Sequence, residues 1–257
     1  DACRHDVLVP FSCKQRGLCP SCGARRMCDE AANVTDRVFP TVPVRQWVMS
    51  LPFELRGLAA TKPEVLTALG RFFAEEVLRA TKRLAGVEGA ETGAITFVQR
   101  FGGSLNLHVH FHLLAADAVF ERAESGVRIH EAPPPTPSAI EEVARRVHDR
   151  AVRWLRRHRH LDERRAEERS NEPPEPSPLE SLASLALSGG TFLGRPSSQA
   201  PSREPEERRG RRFSAKHGGF DVHCAVRVAA DDHEGRERLV RYCARPPFAL
   251  ERIEELR

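Results

Sequence analysis

The chain has 257 residues, of which 40% are hydrophobic and 30% are charged, and its formal net charge at pH 7 is +4. This composition is adequate for a globular core. No stretch approaches the ~18 consecutive apolar residues of a membrane span, and the N-terminus lacks the basic-then-apolar pattern of a secretory signal. We therefore expect a soluble intracellular protein. Because the sequence starts at Asp1 without a methionine and ends at Arg257 in a charged run, we interpret it as a fragment of a longer protein.

Only four of the 40 basic residues are lysines. Arginine can grip phosphate oxygens bidentately, but a GC-rich genome raises the arginine content without any functional cause. Residues 145–160 and 208–216 are locally basic, and each can follow a nucleic-acid backbone or form a solvated helix or linker. The charge balance alone therefore leaves nucleic-acid binding open.

The N-terminus is rich in cysteine, with five of the seven cysteines in the first 28 residues. In a chain without a secretory signal this density indicates metal binding rather than disulfides. A C-x2-C knuckle is typical of zinc sites, and it is followed by a helix-like stretch in which Cys28 is predicted to be non-ligating. We predict a zinc-binding module at residues 1–40 that uses Cys3, Cys13, Cys19 and Cys22.

The next segments predict an alternation of strands and helices. Residues 45–51 are rich in β-formers and predict a strand. A helix is predicted to follow, with Thr61 as its N-cap, Pro63 in its first turn and Gly86 as its stop. Two further strands, at residues 94–101 and 105–115, are joined through Gly102-Gly103, and a minor hairpin is predicted at residues 119–120 and 127–129.

The second half of the chain completes the pattern. Ser138 and Glu141 form a capping box that predicts a long helix, and residues 162–212 predict a disordered insert because they are rich in Pro, Ser, Glu and Arg. Residues 220–228 predict a strand, and a helix from about residue 234 is predicted to end at Pro246-Pro247. The order of elements predicts an α+β fold with a ferredoxin-like antiparallel sheet over residues 41–257.

Three histidines alternate along the strand predicted at residues 105–115. His108, His110 and His112 share one face because successive strand side chains point to opposite sides. Two imidazoles at this spacing can converge on one divalent cation, and Mg²⁺, Mn²⁺ and Zn²⁺ are all compatible. The alternative is a wet strand face that happens to carry histidine.

The only tyrosine of the chain, Tyr242, lies on the last predicted helix. Its spacing from Leu239 and Cys243 predicts that it faces the packed side of the helix, which is also the expectation for an ordinary core tyrosine. Arg241 and Arg245 flank the phenol and are candidate phosphate contacts. A tyrosine hydroxyl is a competent nucleophile toward phosphorus when the phosphate is held in line.

Four segments together resemble the rolling-circle transposases of the insertion sequence 91 type. They are FSCKQRGLCPSCGARRM (residues 11–27), SLNLHVHFHLL (104–114), FDVHCAVRVAADD (220–232) and RLVRYCARPPF (238–248). The resemblance implies a zinc-binding module joined to a nuclease of the HUH class, named for two histidines separated by a hydrophobic residue. That pair is here His110 and His112, and His108 or His223 is the candidate third ligand.

The resemblance also implies a chemistry and a partner. Tyr242 attacks a phosphodiester of single-stranded DNA at the ends of a mobile element and leaves a 5′-phosphotyrosine, with Mg²⁺ or Mn²⁺ at the histidines and Zn²⁺ at the cysteines. The implied location is the cytoplasm of a bacterium, in association with the nucleoid. The chain departs from members that carry a second tyrosine four residues later, because Pro246 occupies that position.

Two other functions remain open at this point. A plasmid relaxase or replication initiator uses the same chemistry, although the zinc module and the Arg-Tyr-x-x-Arg-Pro-Pro segment favour a transposase. A non-catalytic zinc-containing DNA-binding protein, from a decayed element, leaves the histidines with a structural role.

Overall fold

A computed structural model describes residues 20–102, 106–161 and 212–246, except for the side chains of Pro20 and Ser21. The chain divides into two compact units, Asp1–Val42 with Val228–Arg257, and Pro43–Arg227. Several predicted features lie outside the described residues. They are three of the predicted zinc ligands, the turn at Gly103, almost all of the predicted insert and the chain from Pro247 onward. In the described ranges, no helix is both long and apolar enough to cross a membrane.

The larger unit contains most of the regular elements. Its helices are α2 (Phe53–Thr61), α3 (Pro63–Ala85) and α4 (Pro137–Arg157). Its strands are β1 (Val44–Ser50), β2 (Ala94–Phe101), β3 (Leu107–Ala116), β4 (Ala118–Ala123), β5 (Gly126–Glu131), β6 (Ser214–His217) and β7 (Phe220–His223), with β8 (Arg227–Val228) at the boundary between the units. The smaller unit holds α1 (Pro20–Asn33), a π-helical turn (Val34–Val38) and α5 (His233–Cys243).

The main sheet has the strand order β2-β3-β1-β7-β6, and the pairs along it are antiparallel. In chain order, the four strands β1, β2, β3 and β7 occupy the positions of a ferredoxin-like sheet, with α3 and α4 as the two crossover helices. The predicted α+β class is confirmed, and β3 is an interior strand between β2 and β1 as predicted. The predicted minor hairpin is β4–β5.

One face of this sheet forms the core against α3 and α4. Alternate residues of β1 and β3 point toward the two helices, whose apolar positions recur at helical spacing. The contact is close at Gly70 of α3, where a Cβ would lie 2.9 Å from the ring of Phe111. The largest fully buried apolar side chains in this layer are Trp47, Met49, Leu51, Leu69, Phe73, Phe111, Leu113, Ile140, Leu155 and Phe220.

Two predicted helix starts were wrong. Thr61 ends α2 and donates its hydroxyl to the carbonyl of Gly57 at 2.9 Å, and Lys62 occupies the N-cap of α3. At α4 the cap is Thr136, whose hydroxyl accepts from the N–H of Ala139 at 3.2 Å, so Ser138 lies inside the first turn. The observed caps lie one residue after the predicted cap at α3 and two residues before it at α4. Pro63 at the start of α3 agrees with the prediction.

The strand predicted at residues 220–228 is interrupted. The chain leaves the ladder after β7, where Cys224 donates its N–H to the carbonyl of Phe213 and Val226 accepts from the N–H of Gln46. Neither α2 nor β6 was predicted from the sequence. β6 forms a tight hairpin with β7 through Gly218 and Gly219, which both have positive φ.

The smaller unit is helical in its described part, and α5 packs against α1. Asp232 caps α5 by accepting from the N–H of Gly235 at 2.7 Å. The imidazole of His233 contacts the Asp36 carboxylate at 2.8 Å, and Arg236 donates to the carbonyl of Pro40. These contacts join the two chain-terminal segments into one unit.

Candidate active site on the histidine strand

The three histidines of β3 share the face of the sheet that points away from α3 and α4. Val109 and Phe111 lie on the opposite face in the core. His108 and His110 are partly buried, whereas His112 is only 2% exposed. The ring centroid of His110 lies 5.0 Å from those of both neighbouring histidines. The three imidazoles therefore form a row on one face of β3, as the alternation of histidines in the sequence predicts.

Strand register extends this row sideways across the sheet. His110 pairs with Gln99 of β2 and Ser50 of β1, and Ser50 pairs in turn with Asp221 of β7. Paired residues of antiparallel strands share a face. The histidine row is thus continued by polar side chains toward β7.

The residues that pair with His112 across the sheet are more apolar than those that pair with His110. This histidine pairs with Phe97 and Val48, and Val48 pairs with His223. His223, a candidate third ligand, therefore shares the histidine face, but two strand spacings of about 4.8 Å separate it from His112.

Hydrogen bonds orient two of the imidazoles. His110 Nδ1 lies 2.6 Å from the carbonyl oxygen of His108, and since a carbonyl only accepts, Nδ1 carries the proton and Nε2 keeps its lone pair. His112 Nδ1 lies 2.8 Å from Nε2 of Gln46. A 180° rotation of that amide presents its oxygen to Nδ1–H and frees His112 Nε2 for a metal.

Burial keeps all three imidazoles neutral. Desolvation is the main cause that lowers the pKa of His108, of His110 and of His112, the last to about 4. Nearby positive charge adds to the effect, because the Arg56 guanidinium lowers the pKa of both His108 and His110. Neutral imidazole is the form that binds a metal ion.

The donor chemistry of His110 and His112 fits a divalent ion, but a third ligand is not assembled beside them. In the described ranges, the only group of three His, Cys, Asp or Glu residues whose ligand atoms all lie within 4.8 Å is His148, Asp149 and His217. Neither His108 nor His223 completes such a group in this conformation. Side-chain rotation or an oxygen donor from a substrate is needed to complete the coordination.

Arg56 is a candidate site residue that the sequence did not reveal. It lies on α2, is partly buried, and donates from Nε to the carbonyl of Leu51 at 3.1 Å, where β1 ends. Its charge acts on His108 and His110, as their lowered pKa values show. The signal for it was the short helix after Pro52, which a periodicity search over longer windows misses.

A cavity of about 370 Å³ lies on the same face of the sheet, over β1, β6 and β7. Lys216 and Asp221 form an ion pair of 2.9 Å at its rim. Its lining residues are Val48, Ser50, Ser214, Lys216, Asp221 and His223, and five of these six carry a polar group. Polar groups from Ser50, Asp221 and His223 therefore continue across this face from the histidine row.

Tyr242 lies on α5 in the smaller unit, and its predicted orientation was wrong. The buried positions of α5 include Leu239, Val240 and Cys243, whereas Tyr242 is 53% exposed. At 100° per residue, the stripe that contains both Leu239 and Val240 points away from Tyr242. An exposed phenol is better placed for chemistry on an external strand than a core tyrosine.

The flanking arginines are both exposed. Arg241 makes an ion pair with Glu237 one turn earlier on α5. Exposed i, i+4 pairs are worth only a few tenths of a kcal/mol. Arg241 can therefore exchange this partner for a phosphate at little cost.

Of the predicted zinc ligands, only Cys22 lies in the described part of the chain, near the start of α1. Cys28 lies six residues further along the same helix, and its predicted position in a helix is confirmed. Cys3, Cys13 and Cys19 fall outside the described residues.

Comparison with protein families decides the identity of the chain. The family model named "Putative transposase" matches residues 93–257, and the model of the transposase zinc-binding domain of the insertion sequence 91 type matches residues 1–51. The chain belongs to the insertion sequence 91 transposase family. In this family context, the cysteine-rich N-terminus corresponds to a zinc-binding domain, and both β3 and Tyr242 lie in the segment that matches the transposase model.

A curated relative supports the same family. The chain is 31% identical over 112 residues to a transposase for insertion sequence element IS801 from Pseudomonas savastanoi pv. phaseolicola. The match covers 44% of this chain and 26% of that protein, so the chain spans about a quarter of the length of this relative. No solved structure matches the chain.

Proposed function

We propose that this transposase-family chain nicks and rejoins single-stranded DNA at the ends of a mobile element, with Tyr242 as the nucleophile and His110 and His112 as the metal ligands. The observation that carries the proposal is the pair of neutral imidazoles on the interior strand β3, each with a hydrogen bond at Nδ1. A bound Mg²⁺ or Mn²⁺ supplies charge that polarises the scissile phosphate. The histidines contribute by remaining unprotonated and fixed in orientation.

Gln46 and the β3 backbone act as positioning groups for these ligands. The Gln46 amide holds Nδ1 of His112 at 2.8 Å, and the His108 carbonyl holds Nδ1 of His110 at 2.6 Å. Such outer contacts set the ring orientation and raise ligand basicity. His108, partly buried beside His110, is the candidate additional ligand.

Arg56 and the polar cavity supply the contacts for DNA. The Arg56 guanidinium lowers the pKa of His108 and His110, and this positive charge near the histidines supports a role for Arg56 in phosphate binding. The cavity over β7 and β6 provides Lys216 as a further phosphate contact. A single strand that crosses the histidine row can continue along this surface.

The proposed strand transfer exchanges one phosphoester bond for another and needs no external energy source. The Tyr242 oxygen forms a bond to phosphorus, the bond from phosphorus to the 3′ oxygen breaks, and the phenol proton is lost while the released 3′ hydroxyl gains one. The product is a 5′-phosphotyrosine whose formation reverses when a 3′ hydroxyl attacks it. Arg241 and Arg245, on either side of Tyr242, are the proposed contacts to the flanking phosphates.

We assign Zn²⁺ to the N-terminal module, with Cys3, Cys13, Cys19 and Cys22 as the proposed ligands. The matching zinc-binding domain model supports the metal. The individual ligands rest on their spacing in the sequence. Cysteine-by-cysteine substitution with zinc analysis tests each one.

The test is covalent capture of a single-stranded oligonucleotide by the purified chain with Mg²⁺ or Mn²⁺. We expect an adduct resistant to denaturation, mapped by peptide mass spectrometry to Tyr242, and its loss in Tyr242→Phe and in the double variant His110→Ala/His112→Ala. His158→Ala, at the exposed C-cap of α4, is the matched control and should leave the yield unchanged. An undiminished adduct in Tyr242→Phe would contradict the assignment.

If no covalent adduct forms, the function indicated is DNA binding without catalysis. The observation that favours it is the absence, among the described residues, of a third ligand beside His110 and His112. Such a protein binds DNA with a steep salt dependence and forms no adduct with any metal. Salt titration of binding, run beside the capture assay, distinguishes the two functions.

A further inference from the structure

We propose that His148, Asp149 and His217 form a second divalent metal site, selective for transition ions of the Zn²⁺ type, on the face of the sheet opposite to the β3 histidines. The ligand atoms of these three residues all lie within 4.8 Å of one another. His148 and Asp149 belong to α4, and His217 is the last residue of β6. The site would join the second crossover helix to the β6–β7 hairpin.

The direction of His217 separates this site from the candidate active site. His217 pairs with Phe220, and Phe220 is buried in the core beside α4. Its strand neighbour Lys216 points to the other face, into the cavity that continues the histidine row. The two groups of histidines are therefore on opposite sides of one sheet.

The turn between β6 and β7 packs closely against the imidazole of His148. Gly218 has a φ of +53°, and a Cβ at this position would lie 2.1 Å from Cδ2 and 2.5 Å from Nε2 of His148. Only glycine permits this approach of the turn to the imidazole. The rings of His148 and His217 then meet edge to face with their centroids 5.0 Å apart.

Asp149 completes the set with a carboxylate. Its Oδ1 lies 3.2 Å from Nδ1 of His148, and its Oδ2 accepts from Arg145 at 3.0 Å. One oxygen therefore faces the imidazoles while the other is held by a partner, which is the arrangement that orients a carboxylate ligand.

Two imidazole nitrogens and one carboxylate oxygen are a typical donor set for Zn²⁺, with water in the fourth position. Bonds of about 2.1 Å in a tetrahedron hold ligand atoms about 3.4 Å apart. Atoms that lie within 4.8 Å of one another therefore need to approach by at most about 1.4 Å at each separation. All three residues are partly exposed, so their side chains have room to rotate and an ion can enter from solvent.

Such an ion would stabilise the hairpin against α4, because an ion that binds only the folded site adds its binding free energy to stability. The alternative for the same three residues is an ion pair between His148 and Asp149 without metal. The two cases differ in the number of ions that the chain binds.

The experiment counts zinc in the full-length chain. Every protein carries His110→Ala/His112→Ala, which removes binding at β3, and the cysteine module is present in all of them. After dialysis against a zinc buffer with about 1 µM free ion, we expect Asp149→Asn and His217→Ala each to hold one ion fewer per chain than the parent. His158→Ala, on the same helix, should match the parent.

Thermal unfolding adds a second measurement. Zinc should raise the Tm of the parent more than that of Asp149→Asn, which is close in shape to the native residue and keeps the fold. Equal zinc content and equal Tm shifts in the parent, Asp149→Asn and His217→Ala would overturn the site and leave the metal-free ion pair. The outcome does not depend on whether the chain cuts DNA.

Discussion

Protonation of the buried His112 should destabilise the larger unit as the pH falls. The ring is 2% exposed and its pKa is lowered from 6.5 to about 4, chiefly by desolvation. The folded state therefore holds fewer protons than the unfolded chain between these two values. Stability is complete above about pH 6.5 and is lost progressively as the pH falls toward 4.

The size of the effect follows from the two pKa values. With a pKa of about 4 when folded and 6.5 when unfolded, linkage gives a loss of about 2 kcal/mol in the free energy of unfolding between pH 7 and about pH 4.5. His108 and His110 shift in the same direction, so the wild-type chain loses more than this. The contribution of His112 is therefore isolated only by comparing this loss of stability between variants.

The assay compares urea unfolding of the wild type and His112→Leu at both pH values, with EDTA present to remove bound metal. Both tryptophans of the chain, Trp47 and Trp154, belong to the larger unit, so their fluorescence reports its unfolding. We expect His112→Leu to lose about 2 kcal/mol less than the wild type, whatever its stability at pH 7. An equal loss in the two proteins would refute the burial argument, and His158→Leu should behave like the wild type.

Three further predictions concern single residues. Arg56→Gln should lower the yield of the DNA adduct at least tenfold with at most a small fall in Tm, because the substitution also removes the hydrogen bond to the Leu51 carbonyl. An unchanged yield would show that Arg56 is not part of the site. Cys224 has a pKa raised to about 12 by burial, so mass spectrometry should find it unmodified by iodoacetamide at pH 8 until the chain unfolds; modification of the native protein would contradict its burial. Gly70→Ala should destabilise the larger unit by about 1–3 kcal/mol, because the added Cβ lies 2.9 Å from the ring of the buried Phe111; unchanged urea unfolding would show that the ring moves freely.

The elements with long, regular patterns were predictable from the sequence. The helix that ends at Gly86, the β2–β3 pair and the alternating histidines of β3 each depend on local spacing, and local spacing is sufficient where burial on one face is strong. The ferredoxin-like topology was also predictable, because this order of strands and crossover helices along the chain permits few other topologies.

The features that were missed depend on tertiary contacts. α2 is short and only weakly amphipathic, so its helical conformation is stabilised by the packing of Leu55 and Leu58 on the core. β6 has four residues and acquires its ladder only by pairing with β7. The exposure of Tyr242 was mispredicted because i, i+3 spacing from Leu239 fits two faces of a helix, and the packing of α5 selects the one that includes Val240.

The same reasoning explains why Gln46 escaped notice although it is central to the proposed metal site. In the sequence it is one of three polar residues in β1, and its proposed function follows only from the pairing of β1 with β3, which brings the amide within 2.8 Å of His112 Nδ1. A buried imidazole without this contact could present either nitrogen. With it, the choice between Nδ1 and Nε2 depends on which end of the amide faces the ring, so Gln46→Glu, which offers only acceptors, should fix the metal-binding tautomer. If His112 is a ligand, this variant binds metal at least as tightly as the wild type, whereas Gln46→Leu binds it more weakly. Equal metal affinity in the two variants would show that His112 is not a metal ligand.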